Sequence, residues 1–162
     1  MAQTSIVINP AVAVAGTFAT GIGTPLNTRS LTAAATIAVG KFVVVTVDDA
    51  TTCEVPDAIA EAGSGRGLGI AMRPASGATS YSAGETVTIA YTGEIWTVGE
   101  DTGVISGAIA WVRGANAGTY GLGSFRSDLD TNGAVELPNA VFTSNAASAG
   151  DLVKVWLNGP FI

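Results

Sequence analysis

The chain has 162 residues, a net charge of −6, no histidine and a single cysteine, Cys53. This length suits one domain with a core of its own. The missing histidine removes Ser-His-Asp and Cys-His catalysis and His-ligated zinc, and one cysteine allows neither an internal disulfide nor a thiolate cluster. With only two lysines, Lys41 and Lys154, the acidic surface repels phosphate backbones, so no nucleic-acid partner is expected.

Residues 1–30 carry no charge before Arg29 and are interrupted by Pro10 and Pro25. Without a basic n-region they are not expected to be a secretory leader. They read as an extended N-terminal arm ahead of a body at residues 31–162, or as a first strand, Ser5–Asn9, followed by a loop. The apolar side chains of this stretch are candidates for an interface with another chain: Ile6, Val7, Ile8, Val12, Val14 and Phe18. No run approaches the roughly 18 apolar residues of a membrane span, so no membrane partner is expected.

Thr32–Ala38 is alanine-rich and is a possible short helix. Val39–Val47, VGKFVVVTV, is a β-branched run of the kind buried on both faces. Five acids and no base follow within Asp48–Glu61, a solvated face or a docking patch for a basic surface. Inside that stretch, Pro56–Ala62 is a second possible helix, with proline at its first position and Gly63 as a stop.

The remaining chain is strand-like. Glu85–Thr92 alternates cleanly, Val87, Ile89 and Tyr91 against Thr86, Thr88 and Ala90. Gly67–Arg73, Glu94–Val98, Ala108–Arg113, Ala134–Leu137, Ala140–Thr143 and Leu152–Leu157 are further candidates, separated by glycine-rich breaks. Short strands at even spacing, punctuated by glycine and asparagine turns, predict an all-β fold: a small β-barrel or jelly-roll-like sandwich. Two segments echo each other, Ser82-Ala83-Gly84-Glu85 before one strand and Ser148-Ala149-Gly150-Asp151 before another. With no fixed period, the echo reads as a shared way of turning into a strand.

Little in this pattern carries chemistry. Cys53 stands beside Glu54, and an acidic neighbour raises a thiol pKa, so a small buried residue is expected. The carboxylate pairs Asp48-Asp49, Glu100-Asp101 and Asp128/Asp130 all fall where turns are predicted. Gly63–Gly69 fits neither phosphate-loop pattern. Asp128, Asp130 and Asn132 match the first half of a calcium loop, but Asn139 stands where the bidentate glutamate belongs, and an Asn132-Gly133 turn explains the same residues without metal. Neither a cofactor nor an enzymatic activity is expected. Trp96, Trp111 and Trp156 each fall in a predicted strand, where core packing is the expectation and an exposed interface anchor the alternative. Mean hydropathy is +0.43, which suggests apolar surface covered by partners or by copies of the chain itself.

The segments Gly40–Val45 (GKFVVV), Arg66–Met72 (RGLGIAM), Ser82–Ile89 (SAGETVTI) and Ser148–Leu157 (SAGDLVKVWL) together resemble the structural cement, or head decoration, proteins of tailed bacteriophages, over residues 30–157. The resemblance implies a small β-barrel body and self-association, as a homotrimer or secondarily a dimer. It implies the major capsid protein as partner and a place on the outer capsid surface of the virion, after synthesis in the host bacterial cytoplasm. The residues of the arm would then be capsid or oligomer contacts. A virion-surface carbohydrate-binding or adhesion module, as in a spike or fibre, is the alternative; it would need exposed aromatics on a concave face.

Overall fold

A computed structural model describes residues 14–19, 27–57, 66–100, 103–115, 120–127 and 133–159. The strands are β1 (Thr28–Ala33), β2 (Ile37–Ala38), β3 (Phe42–Val45), β4 (Thr52–Glu54), β5 (Gly67–Ala71) and β6 (Ser80–Tyr81). They continue with β7 (Thr86–Ala90), β8 (Thr92–Val98), β9 (Ile109–Arg113), β10 (Phe125–Arg126), β11 (Ala134–Phe142) and β12 (Leu152–Asn158). The fold is all-β, as the turn spacing predicts. Strands β1-β4-β3-β5-β7 close a barrel, β10-β9-β11-β12-β8 form a five-stranded sheet, and β2 pairs with β6.

The β-branched run explains how the two units join. In β3, Val43 points into the barrel, where it packs with Leu31, Cys53, Ala71, Val87 and Ile89. Its neighbours Phe42 and Val44 point the other way, into a second core shared with Ile95, Val112, Phe125, Leu137, Phe142, Val153, Val155 and Leu157 of the sheet. The period-2 alternation thus gives β3 two apolar faces, one for each core. Strand β5 divides likewise, Ala71 into the barrel and Ile70 toward the sheet. Phe42 meets Phe125 edge-on, with ring centroids 6.3 Å apart. The buried Thr97 hydroxyl of β8 donates to the Gly40 carbonyl at 2.6 Å, a polar tie between the units.

Closing the barrel demands close approach. Gly69, with φ at +151°, sits where β5 crosses β7, and a Cβ there would lie 2.1 Å from the Ala90 carbonyl oxygen. Only glycine fits.

The sequence echo has a common physical cause. Glu85 accepts a hydrogen bond from the Ser82 amide at 2.5 Å, and Asp151 accepts one from the Ser148 amide at 2.9 Å. In each the acid's own amide returns a bond to the serine carbonyl, and Gly84 and Gly150 take positive φ, +87° and +92°. The acid closes the turn that launches β7 in one case and β12 in the other.

Thr32–Ala38 is not helical. Its first two residues end β1 and its last two form β2. The Ala33 amide donates to the Glu85 carbonyl and the Ala34 amide to the Cys53 carbonyl, so long-range acceptors take the donors that a helix would use. Pro56 and Asp57 are non-helical, and residues 58–62 lie outside the described residues. Ala134–Leu137 and all but the last residue of Ala140–Thr143 prove to be parts of one strand, β11. Its register against β9 shifts between Glu136 and Val141, which accommodates Pro138, a residue without an amide donor.

Candidate interaction face

The register places all three tryptophans on the outer face of the five-stranded sheet. In β12, Val153, Val155 and Leu157 point into the core, so Leu152, Lys154 and Trp156 point outward. Trp156 pairs with Val141 of β11 and with Glu94 of β8, and Lys154 pairs with Trp96. Val141 in turn pairs with Ile109, two residues from Trp111 on β9. Strand spacing and rise put Trp96 about 8 Å from Trp156, and Trp156 roughly 12 Å from Trp111, as a diagonal row across the face. All three are half-buried rather than core residues, which corrects the core expectation. Val98, Val141 and Leu152 are half-buried beside them, and Ile109 is exposed. Ile105, 66% exposed, lies in the turn that leads into β9. Alternation alone gives each tryptophan a face but not which face is the core; that depended on the pairing of β8 with β12.

Charged groups are built into the same sheet. Glu94 is 6% exposed. Its Oε1 accepts a hydrogen bond from the Thr143 hydroxyl and lies 3.4 Å from the Lys154 ammonium, which stands 5.9 Å from the Trp96 ring centroid. At the far end Glu100 accepts from Arg113 Nε at 2.5 Å and from the Ser124 hydroxyl at 2.7 Å, with Arg126 Nη1 at 3.7 Å.

The segment at residues 14–19 runs along β8. Gly16 and Ala19 donate to the Trp96 and Glu94 carbonyls, and the Trp96 amide donates to Thr17. Phe18 bridges Ile95 and packs half-buried against the shared core. Val14 is half-buried and accepts the Thr17 hydroxyl at 2.7 Å. Ile6, Val7, Ile8 and Val12 lie outside the described residues, as do Asp101, Asp128, Asp130 and Asn132.

The other chemical candidates are placed as structural groups. Cys53 is buried in the barrel; burial first, and Glu54 second, push its thiol up to about 11. Asp49 sits in the exposed β3–β4 turn, where hydrogen bonds from the Thr51 hydroxyl and amide hold its carboxyl below the usual range. Burial draws Lys41 down, and its ammonium donates to the Tyr120 carbonyl. Arg66 donates to the Val45 carbonyl at 2.8 Å and pairs with Glu54, so the described end of the glycine-rich segment is tied to β3 and β4.

The comparisons with known proteins agree with this architecture. The family model described as structural cement protein (E217 gp24/Pam3 gp6) matches residues 2–158. The chain therefore belongs to the structural cement protein family, a family of phage structural proteins. Its fold is similar to that of a chain in the capsid of Myoviridae phage XM1, with a TM-score of 0.70 and 18% identity, over 94% of this chain and 98% of that one. A weaker likeness, TM-score 0.49 at 9% identity, covers 83% of this chain and 95% of the head fiber gp8.5 N base of bacteriophage phi29. No curated protein matches the chain.

Proposed function

We propose that the protein decorates the mature head of a tailed phage, binding the outer surface of the major capsid protein lattice and stabilising it. The observation that carries this reading is the family match over residues 2–158. The tryptophan row supports it, because half-buried aromatic side chains flanked by aliphatic ones are what protein-binding anchors are made of. A ligand that bridges neighbouring subunits binds the assembled shell and not dispersed subunits, so it shifts the equilibrium toward the shell. Self-association, as a trimer or secondarily a dimer, would let modest contacts act together. Residues 1–13, with Ile6, Val7, Ile8 and Val12, would add contacts to a neighbouring subunit, extending from a segment already fixed to β8 at residues 14–19.

The test is to heat undecorated capsids with and without the protein and to record the temperature of DNA release. An upward shift is expected; equal temperatures despite confirmed binding would refute the cement role. The same row favours one second reading, a glycan-binding adhesion module, since indole faces that reach the surface stack on sugars. Binding to host glycans together with failure to bind capsids would select it.

A further inference from the structure

The Glu94 carboxylate is only half satisfied. Oε1 has the Thr143 hydroxyl and Lys154, but Oε2 is buried with no hydrogen-bond partner, the one buried side-chain polar atom so placed among the described residues. It lies on the outward side of β8, with Trp156 directly across on β12 and Trp96 two residues along its own strand. Buried polar atoms in native proteins are nearly always paired, so an orphan on a face already suited to docking marks a place for a donor.

We infer that Glu94, with Trp96 and Trp156 beside it, is the receptor for a cationic side chain, an arginine by preference, that the docking partner brings to this face. The inference rests on the capsid-binding reading above and specifies its chemistry. The site already holds one cation: the Lys154 ammonium lies against both the carboxylate and the Trp96 ring. That ammonium is a point charge on a flexible stem and engages one oxygen. A guanidinium is planar; it can grip a carboxylate through two parallel N–H bonds and stack on indole. Lys154 is 28% exposed in its side chain, so its stem can swing toward solvent and leave the carboxylate to the incoming group. The half-buried Val98, Val141 and Leu152 would be covered together with the contact, and the loss of water there would strengthen it.

The test measures binding of the full chain to undecorated capsids across a salt series. Glu94→Gln keeps the shape and the Thr143 bond but removes the charge; it is expected to weaken binding at least about tenfold and to flatten its salt dependence. Lys154→Met vacates the cation position and is expected to bind at least as well as wild type. A loss with Lys154→Met equal to that with Glu94→Gln would overturn the receptor, because the pair would then be structural. Wild-type binding by Glu94→Gln with loss in Trp156→Ala would also overturn it, leaving a dry apolar interface or one bridged by water. No effect of any of these variants would place docking elsewhere and leave the cement reading standing, whereas failure of the wild type to bind capsids would remove both. Should sedimentation show that Glu94→Gln dissociates a self-oligomer while capsid binding holds, the occupant is a second copy and the proposal fails. As a check independent of variant folding, acetyl-arginine amide is titrated into the wild type. It should shift the Trp96 and Trp156 indole N–H signals where the neutral citrulline analogue does not; the absence of any difference would count against the receptor.

Discussion

Truncating Phe42 tests whether the barrel and the sheet are one cooperative body. Phe42 belongs to barrel strand β3, is fully buried, and spends its whole side chain on the core of the sheet. Removing a buried phenylalanine to alanine costs about 3–5 kcal/mol, and the lost edge-to-face contact with Phe125 accounts for about 0.5–1.5 kcal/mol of that order. A domain of this size has roughly 5–15 kcal/mol in total, so Phe42→Ala removes about a fifth of its stability or more. At about 2–4 °C per kcal/mol, the melting temperature falls by roughly 10 °C. Phe42→Leu keeps a smaller apolar side chain but loses the ring contact, and should cost about 1–2 kcal/mol, less than Phe42→Ala. The assay is urea unfolding followed by two probes, tryptophan fluorescence, which reports only on the sheet, and far-ultraviolet circular dichroism, which reports on both units. One coincident transition, shifted alike in both signals, is expected. The reasoning fails if Phe42→Ala costs under about 1 kcal/mol, or if the fluorescence transition stays in place while part of the dichroism melts early.

Three further outcomes follow from single contacts. Gly69→Ala should prevent the barrel from closing, at a cost well above about 3 kcal/mol, because Cβ would overlap the Ala90 carbonyl; soluble protein with native melting would contradict this. Thr97→Val strands the Gly40 carbonyl and should cost about 1–3 kcal/mol in denaturant titration, against nearly nothing if the bond is dispensable. Cys53 should resist iodoacetamide at pH 8 in the native protein and react only after unfolding. Because its folded pKa is raised to about 11 from 9.0, the unfolded chain loses this proton first, so the Cys53 contribution to stability falls as pH rises from about 9 through 11. In Cys53→Ala that part of the alkaline loss should vanish, and an unchanged profile would refute it.

The parts of the fold legible in the sequence are those where side-chain pattern alone decides. VGKFVVVTV announces two buried faces, and β3 has two cores to serve. The alternation around Val87 and Ile89 gives β7, both side chains buried in the barrel. Strand β1 is not legible, because Thr-Arg-Ser-Leu-Thr-Ala has little apolar content and its first three residues are exposed; its pairing with β7 supplies what its composition lacks. The two- and three-residue strands β2, β4, β6 and β10 are too short for any period to show. At the candidate interaction face, the tryptophans were visible as aromatic residues in strands, but their convergence into one row is a property of register, as is the meeting of Glu94, Lys154 and Trp96. No local pattern encodes the 49 residues that separate Glu94 from its Thr143 partner.

The segment at residues 14–19 has a consequence for solubility. A β-sheet ends in strands whose unpaired amides and carbonyls invite any other strand to join, which is how sheets polymerise. Here the barrel has no rim strand because it closes, and β10, at one border of the sheet, is two residues long. The other border, β8, is seven residues long and is the place where copies could stack end on end into fibres. In its middle, the Trp96 amide and the Glu94 and Trp96 carbonyls are taken instead by the chain's own Gly16, Thr17 and Ala19. That stretch of the border is therefore self-capped, and the sheet terminates there rather than propagating into a second copy.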